Sequence, residues 1–201
     1  MIQTALTFDD VLLVPKFSSI VSRSEVKLSS NLDKDRTLTL PVISSPMDTV
    51  TEHVMATTIS NHGGLGIIHR YNSIDEQVEQ FREAKNDYNL VGAAVGSTGD
   101  FYERASELIK WDVDVICIDV AHGHHQNVRE AIEKIKNHPS HYKFHLMAGN
   151  VATGEAFQAL SDWGADSIRV GIGGGSICST RLQTGFGVPN LAAIFDCRNT
   201  K

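Results

Sequence analysis

The chain has 201 residues, of which 41% are hydrophobic and 21% are charged, as is typical of a globular domain with one buried core. Its formal net charge of −6, with no block of Lys or Arg, argues against a nucleic-acid-binding surface. No apolar run approaches the ~18 residues of a membrane span, and the N-terminus has no basic region followed by an apolar core. We therefore expect a cytoplasmic protein with no membrane partner, whose three cysteines lack framework spacing and stay reduced.

The first 40 residues predict a lead-in to the main fold. Acidic and apolar residues are mixed from residue 4 to Pro15, which indicates a short segment docked on the fold. Weak alternation over residues 24–40 surrounds a polar turn at 31–36 and predicts a hairpin. We expect one domain over residues 1–201, in which residues 1–40 are the lead-in and residues 41–201 carry the repeated units.

From residue 41 onward, short apolar stretches alternate with patterns of helical periodicity. Six strands are predicted, at residues 42–45, 64–69, 90–95, 115–120, 145–148 and 167–171. A capping box at Ser73 and Glu76 begins one intervening helix, and Thr153 begins another that stops at Gly164. Strands separated by single helices form a parallel sheet, because each crossover returns the chain beside its last strand.

A doubly wound sheet and a (β/α)₈ TIM barrel both satisfy this α/β alternation. Polar residues at or just after the carboxyl ends of the predicted strands favour the barrel, because barrel active sites are built there; they are Ser45, His69, Asp119, Asn150 and the loop around Cys178. Residues 41–201 supply about six of the eight βα units. The expected fold is therefore an incomplete barrel, whose exposed strand edges favour self-association or a complementary C-terminal fragment.

A glycine-rich loop follows the sixth predicted strand at residues 171–181, Gly-Ile-Gly-Gly-Gly-Ser-Ile-Cys-Ser-Thr-Arg. Its glycines let a ligand approach bare backbone, so N–H groups can bind a phosphate near Ser176 and carbonyls can face a cation. Cys178 follows at the place where a bound ligand would present a reactive carbon, and a nearby positive charge would favour its thiolate. A glycine-rich turn around a buried apolar cysteine is the alternative interpretation.

Residues 169–189 closely resemble the catalytic loop of the IMP dehydrogenase / GMP reductase family. Two positions depart from the usual loop, since Gly174 replaces a proline and Ser179 replaces the first of two threonines. Further blocks resemble the family in the same order, at residues 6–13, 41–52, 63–70, 91–96, 119–123 and 149–153. The resemblance implies a (β/α)₈ barrel in which a cysteine adds to C2 of a purine nucleotide, and hydride passes between that carbon and a nicotinamide.

The resemblance also implies a role for each matching position. Cys178 would be the nucleophile, and Thr180 would position or activate the water or ammonia that resolves the covalent intermediate. A purine nucleoside monophosphate would contact Ser45, Met47, Arg169 and Ser176. The nicotinamide cofactor, NAD or NADP, would contact Asp119, Gly123 and Asn150. A potassium ion would bind the backbone carbonyls of Gly173, Gly175 and Cys178.

Several of these positions also have purely structural interpretations. Asp119 could be a helix cap or turn residue, and Asn150 could occupy a left-handed turn after glycine. Ser45 and Met47 could pack inside the barrel. Three histidines, His122, His124 and His125, lack a carboxylate or cysteine at ligand spacing, so a polar loop near the cofactor is favoured over a zinc site. Cys117 lies in an apolar strand and is expected to pack in the core.

The resemblance leaves two activities open. Residues 44–52 and 91–96 favour IMP dehydrogenase, which oxidises IMP to XMP with NAD in guanine nucleotide biosynthesis. Residues 69–91 hold one helix where most IMP dehydrogenases carry a regulatory tandem domain, and residues 116–121 and 148–155 resemble GMP reductase. We expect IMP dehydrogenase activity, with NADPH-dependent reduction of GMP to IMP as the first alternative and a non-catalytic nucleotide-binding or assembly module as the second. The complete enzyme is expected to be a homotetramer.

Overall fold

The computed structural model describes residues 4–86 and 89–200. A short antiparallel hairpin, β1 (Ser30–Asn31) and β2 (Thr37–Leu38), precedes a five-stranded parallel sheet. The strands of that sheet are β3 (Gly66–Ile68), β4 (Val91–Val95), β5 (Val115–Asp119), β6 (His145–Val151) and β7 (Ser167–Val170), and they lie side by side in chain order. This sequential order contradicts a doubly wound sheet, whose order reverses midway. The α/β class is confirmed, and the sheet is consistent with part of a TIM barrel.

Seven α-helices lie in the described part of the chain: α1 (His53–Asn61), α2 (Ile74–Ala84), α3 (Phe101–Lys110), α4 (Gln126–Lys136), α5 (Gly154–Asp162), α6 (Thr180–Thr184) and α7 (Asn190–Arg198). The helices α2 to α5 connect the five parallel strands one after another. Two predicted helix starts are confirmed, because Ser73 Oγ accepts from Glu76 N–H at 3.2 Å and Thr153 Oγ1 accepts from Ala156 N–H at 3.2 Å. Of the helices just described, none has the length and apolar composition to cross a bilayer.

Strands β3 to β6 are buried on both faces of the sheet, whereas β7 is half-buried. One face packs against the surrounding helices, and its strand residues contact large apolar side chains such as Phe81, Leu108 and Ile132. The opposite face holds a second cluster of Leu65, Ile67, Ala94, Val115, Cys117 and Met147, on which Leu38 of the hairpin also packs. Cys117 is completely buried, which confirms its predicted place in the core.

The hairpin is fixed at the amino end of the sheet by a buried polar cluster. Asp33 Oδ2 lies 2.6 Å from Nδ1 of His145, and Nε2 of the same ring lies 2.7 Å from Ser167 Oγ. Arg36 reaches across to donate to the carbonyl of Lys143 at 2.9 Å. These contacts fix the amino ends of β6 and β7, at the end of the sheet opposite to the loop that carries Cys178.

Two features differ from the sequence-based expectation. The first predicted strand, at residues 42–45, is reduced to one parallel bridge between Ile43 and Leu65, because Pro41 and Pro46 flank it and proline cannot donate to a strand ladder. Residues 4–31 are all exposed, so the segment expected to dock at residues 4–15 does not pack on the sheet. Leu12 and Leu13 in that segment are 95% and 98% exposed.

Candidate active site

The glycine-rich loop begins at the carboxyl end of β7, as predicted. Gly173 has φ of 77°, a left-handed conformation that favours glycine. The base of the loop is closed by an antiparallel bridge in which Val188 N–H donates to the carbonyl of Ile172 at 3.0 Å. Inside the loop, the N–H of Cys178 donates to the carbonyl of Gly175 at 3.2 Å. Cys178 is therefore held on a closed loop at the carboxyl end of the sheet.

The Cys178 thiol has the surroundings of a reactive cysteine. Its Sγ lies 3.2 Å from Thr180 Oγ1. The pKa of Cys178 lies below its ordinary value of 9.0, chiefly because the hydroxyl and backbone N–H of Thr180 hydrogen-bond the sulfur, with smaller contributions from the charge of Arg181 and the N–H of Gly173. The thiol is half-buried, whereas Cys117 and Cys197 are buried. A buried apolar cysteine, the alternative interpretation of this loop, is therefore wrong for Cys178.

A cavity of about 390 Å³ brings most of the predicted site residues together. Its lining includes seven of them, from four different parts of the chain: Ser45, Asn150, Arg169, Gly173, Gly175, Cys178 and Thr180. The remaining four, Met47, Asp119, Gly123 and Ser176, lie outside this lining. Met47 N–H donates to the carbonyl of Ser45 at 2.9 Å, and Ser176 is an exposed residue of the loop.

Asp119 and Gly123 adjoin the cavity through residues that do line it. Asp119 Oδ1 accepts a hydrogen bond of 2.6 Å from Arg169, and this pair links the ends of β5 and β7. The N–H of Gly123 donates to the carbonyl of Asn150 at 2.7 Å. The sequence analysis did not pair Asp119 with Arg169, because Asp119 was singled out as a strand end for the cofactor and Arg169 as a residue that contacts the purine nucleotide.

The structural interpretations of these positions are not supported. Asp119 ends β5 and pairs with Arg169, while the N-cap of α4 is His125. Asn150 lies in β6 and does not have a positive φ. Ser45 and Met47 are exposed, and the neighbouring Ser44 is the buried one, with its Oγ accepting from Ile67 N–H at 3.2 Å.

A second, mainly apolar cavity of about 490 Å³ adjoins the first through Thr180 and Ile172. His122 and His124 line it together with Phe186 and Val188. His125 instead accepts from Asn127 N–H at 3.1 Å through Nδ1 and caps α4. Within residues 4–86 and 89–200, no group of three His, Cys, Asp or Glu side chains is placed to hold a metal ion.

One polar side chain in the lining of the first cavity was missed by the sequence analysis. Asn190, the first residue of α7, lines the cavity beside Gly174 and Cys178. Its sequence signal is weak, because it is an ordinary polar residue after Pro189. Asn190 lies beside the glycines only because the chain returns from the loop to the bridge at Val188.

The fold and site define a parallel α/β protein with a half-buried cysteine of lowered pKa on a glycine loop at the carboxyl ends of its strands. Residues 5–201 match the IMP dehydrogenase / GMP reductase domain, and the chain belongs to this family.

Among individual relatives, the chain is 40% identical to an inosine-5'-monophosphate dehydrogenase of Borreliella burgdorferi over 250 aligned positions, which cover 98% of this chain and 61% of the relative. It is 39% identical to the enzyme of that name from Cryptosporidium parvum, with 96% and 57% covered. A GMP reductase of Aeromonas salmonicida is 38% identical over 202 positions, again with 96% and 57% covered. The chain thus spans about 57–61% of the length of these three relatives.

Proposed function

We propose that the protein is a purine-nucleotide oxidoreductase that oxidises IMP to XMP, with NAD as hydride acceptor and Cys178 as nucleophile. The observation that carries the proposal is the setting of Cys178, a half-buried thiol of lowered pKa that shares one cavity with Thr180 and Arg169. Family membership and the relatives named as dehydrogenases support the purine substrate.

In the proposed reaction the Cys178 thiolate adds to C2 of IMP, and the hydrogen on C2 leaves as hydride with its electron pair. NAD, when bound, accepts that hydride. Water then adds at the same carbon and gives up a proton, and the carbon–sulfur bond breaks with its electron pair on sulfur to release XMP and regenerate the thiolate. The lowered pKa of Cys178 increases its thiolate fraction at neutral pH, which favours the first step.

We assign Thr180 to the second step. Its Oγ1 lies 3.2 Å from Cys178 Sγ, so the hydroxyl is within reach of a water that attacks the carbon attached to sulfur. Arg169 places a permanent positive charge in the same cavity, where it faces the purine. We assign Ser45, which lines the cavity, and Met47, whose N–H donates to the carbonyl of Ser45, to contacts with the nucleotide. Ser176 and the N–H groups of the loop are assigned to its phosphate.

The residues proposed for the cofactor fit a dinucleotide. Arg169 engages Oδ1 of Asp119, and within the described residues Oδ2 accepts no hydrogen bond, so it can accept from a ribose hydroxyl. A Cβ added at Gly123 would lie 3.0 Å from the carbonyl oxygen of Asn150. Glycine at this position therefore lets the backbone of Gly123 pack closely against that of Asn150. NADPH would take the same site in the alternative reaction.

The residues proposed for potassium also fit a hard cation. The carbonyl of Gly175 accepts from Cys178 N–H, which leaves one lone pair, and the carbonyls of Gly173 and Cys178 accept no backbone hydrogen bond in the described part of the chain. Carbonyl oxygens are suitable ligands for such an ion. Binding there would fix the two ends of the turn that carries the nucleophile.

We further propose that residues 41–201 form six βα units of a (β/α)₈ barrel, after a lead-in at residues 1–40. The sequential parallel sheet supports this assignment, and its outer positions are only partly covered, since Ile43 is 40% exposed and all four residues of β7 are half-buried. Further strands, from the same protein or a complementary C-terminal fragment, would complete the barrel. The complete enzyme is proposed to be a cytoplasmic homotetramer, which light scattering of the full-length protein would test.

GMP reductase is the alternative that a specific observation favours. The alignment with the reductase spans 202 positions, whereas the alignment with the Borreliella dehydrogenase spans 250. The shorter alignment is in keeping with the single helix α2 between β3 and β4. The Cys178 site serves the reverse hydride transfer equally well. The substrate therefore has to be decided by assay.

Absorbance at the reduced-nicotinamide band tests these proposals in the full-length protein. We expect IMP with NAD to increase the absorbance, and Cys178→Ser to abolish the change. Cys197→Ser is the matched control, because Cys197 is buried in α7 and its loss should leave turnover intact. A decrease with GMP and NADPH would establish the reductase instead. Nucleotide binding without turnover in either direction would establish a non-catalytic module.

A further inference from the structure

Arg70 lies at the carboxyl end of the sheet, two residues after the end of β3. Its Nη2 donates to the carbonyl of Asp119, the last residue of β5, in a long hydrogen bond of 3.4 Å. The guanidinium also lies beside Gly96, which follows β4, because a Cβ added there would meet Arg70 Nη1 at 3.5 Å. The side chain of Arg70 therefore spans the ends of three neighbouring strands, on the side of β5 opposite to β6 and β7.

Among the described residues, Arg70 has no carboxylate partner. The three other arginines that are at least partly buried in that part of the chain, Arg36, Arg104 and Arg169, each form an ion pair with an aspartate. Arg70 is half-buried as well, and its one hydrogen bond to a described residue is the long one to the Asp119 carbonyl. Its Nε is buried and has no hydrogen-bond partner there. A partly desolvated guanidinium with unused donors is costly unless an anion pairs with it.

The scaffold sets the position of this guanidinium. The carbonyl of the preceding residue, His69, accepts from Gln77 Nε2 at 2.8 Å, and the same amide donates to the carbonyl of Ala94 at 2.8 Å. Gln77 is fully buried, so it ties the carboxyl ends of β3 and β4 together from below. The ring of Tyr71 lies against the guanidinium, with 5.3 Å between Arg70 Cζ and the ring centroid. A charge held in this way loses little freedom when it binds a ligand.

The neighbouring group narrows the identity of the anion. Oδ2 of Asp119 is free to accept from a ribose hydroxyl of the cofactor, and Arg70 contacts the backbone of the same residue. In a nicotinamide dinucleotide the ribose is joined directly to the pyrophosphate, so the phosphates lie one sugar away from the group assigned to Asp119. The phosphate of the purine nucleotide is assigned instead to Ser176, in the loop after β7, whereas Arg70 follows β3 at the other edge of the five-stranded sheet.

We propose that Arg70 is a cofactor-binding residue, whose guanidinium pairs with the pyrophosphate of the dinucleotide through donors that no described residue uses. A fork of N–H donors matches two phosphate oxygens. The inference rests on the proposed function only through the cofactor site beside Asp119. It supplies that site with a positive charge, which Asp119, Gly123 and Asn150 do not carry.

The test is isothermal titration calorimetry of the full-length protein in a Cys178→Ser background saturated with IMP, in which dinucleotide binding is measured without turnover. Arg70→Gln removes the charge and the fork, so the Kd for NAD should rise by roughly tenfold to hundredfold. NADP differs from NAD by one phosphate on the other ribose, so its Kd should rise by the same factor. The Kd for IMP, titrated alone, should equal that of the Cys178→Ser parent.

Arg82→Gln is the matched control, because it removes the same charge from an exposed arginine of α2 that pairs with Glu79. Its Kd for both dinucleotides should equal that of the parent, and a rise as large as in Arg70→Gln would reduce the effect to net charge and refute the inference. An unchanged Kd for NAD in Arg70→Gln would overturn it directly. A rise for NADP alone would assign Arg70 to the additional phosphate, and a rise for IMP would assign it to the purine nucleotide; either result would reject the pyrophosphate.

Arg70→Lys keeps the charge without the fork, so its Kd for NAD should lie between those of the parent and Arg70→Gln. Should Arg70→Gln fail to fold by circular dichroism, Arg70→Lys decides alone, and a Kd equal to that of the parent would refute the inference. Failure of the proposed cofactor is seen separately. NAD would then bind neither the parent nor the variants, whereas equal NAD binding by the parent and Arg70→Gln would refute only the role of Arg70.

Discussion

Limited alkylation of the folded protein should label Cys178 long before the other cysteines. Burial raises the pKa of Cys117 to about 11, so roughly one thiol in ten thousand is ionised at pH 7. A thiol whose pKa lies below 9.0, as for Cys178, is ionised to about one per cent or more at the same pH. Ionisation alone therefore predicts at least about a hundredfold faster reaction at Cys178, before access is considered.

Access acts in the same direction. Cys117 is 0% exposed and Cys197 is 5% exposed, so neither meets iodoacetamide without local opening. The assay is a time course of alkylation at pH 7, quenched and read by peptide mass spectrometry. In urea all three cysteines should react at similar rates, which controls for intrinsic reactivity. Labelling of Cys117 before Cys178 in the folded protein would refute the reasoning from burial and hydrogen bonding.

Three further predictions follow from named contacts. Burial raises the pKa of Asp33, but hydrogen bonds from Asp35, His145 and Arg36 outweigh it and lower the pKa from 3.8 to about 2. The stabilisation from Asp33 is thus complete above about pH 4 and is lost as the pH falls to 2. Asp33→Asn should lower the free energy of unfolding in urea by about 1–2 kcal/mol at pH 6 and by much less at pH 2. An equal loss at both pH values would contradict this prediction. Asp119→Asn should raise the KM for NAD severalfold while the alkylation profile of Cys178 stays unchanged, and an unaltered KM would argue against the cofactor assignment. Thr180→Val should raise the pH midpoint of Cys178 alkylation and slow XMP release, and a wild-type midpoint would show that Thr180 does not support the thiolate.

Local sequence signals predicted the periodic parts of the fold well. The alternation of apolar stretches with helical patterns located β3 to β7. The signal is clearest for β4 and β5, because these strands are buried almost throughout and therefore read as nearly continuous apolar runs. Side-chain caps located the starts of α2 and α5, since Ser73 and Thr153 bond backbone groups within their own first turns. These interactions span three residues, so the sequence contains both partners.

Contacts between distant segments could not be predicted in the same way. Asp33 and His145 are 112 positions apart, and Arg169 and Asp119 are 50 apart, so no local pattern joins either pair. The cavity beside Cys178 is also lined by Asn190, which follows the bridge at Val188 and is distant in sequence from Ser45, Ala121 and Asn150 in the same lining. Side chains at the carboxyl ends of neighbouring parallel strands were expected to converge. Asp119, Asn150 and the Cys178 loop do lie in one region.

The central claim is that Cys178 bonds covalently to the purine during turnover. The most direct measurement is peptide mass spectrometry of the full-length protein, acid-quenched during reaction with IMP and NAD. We predict a mass increase equal to the attached purine nucleotide on the peptide that contains Cys178, absent without NAD and absent in Cys178→Ser. Turnover that continues in Cys178→Ser, or an adduct on any other residue, would contradict the account.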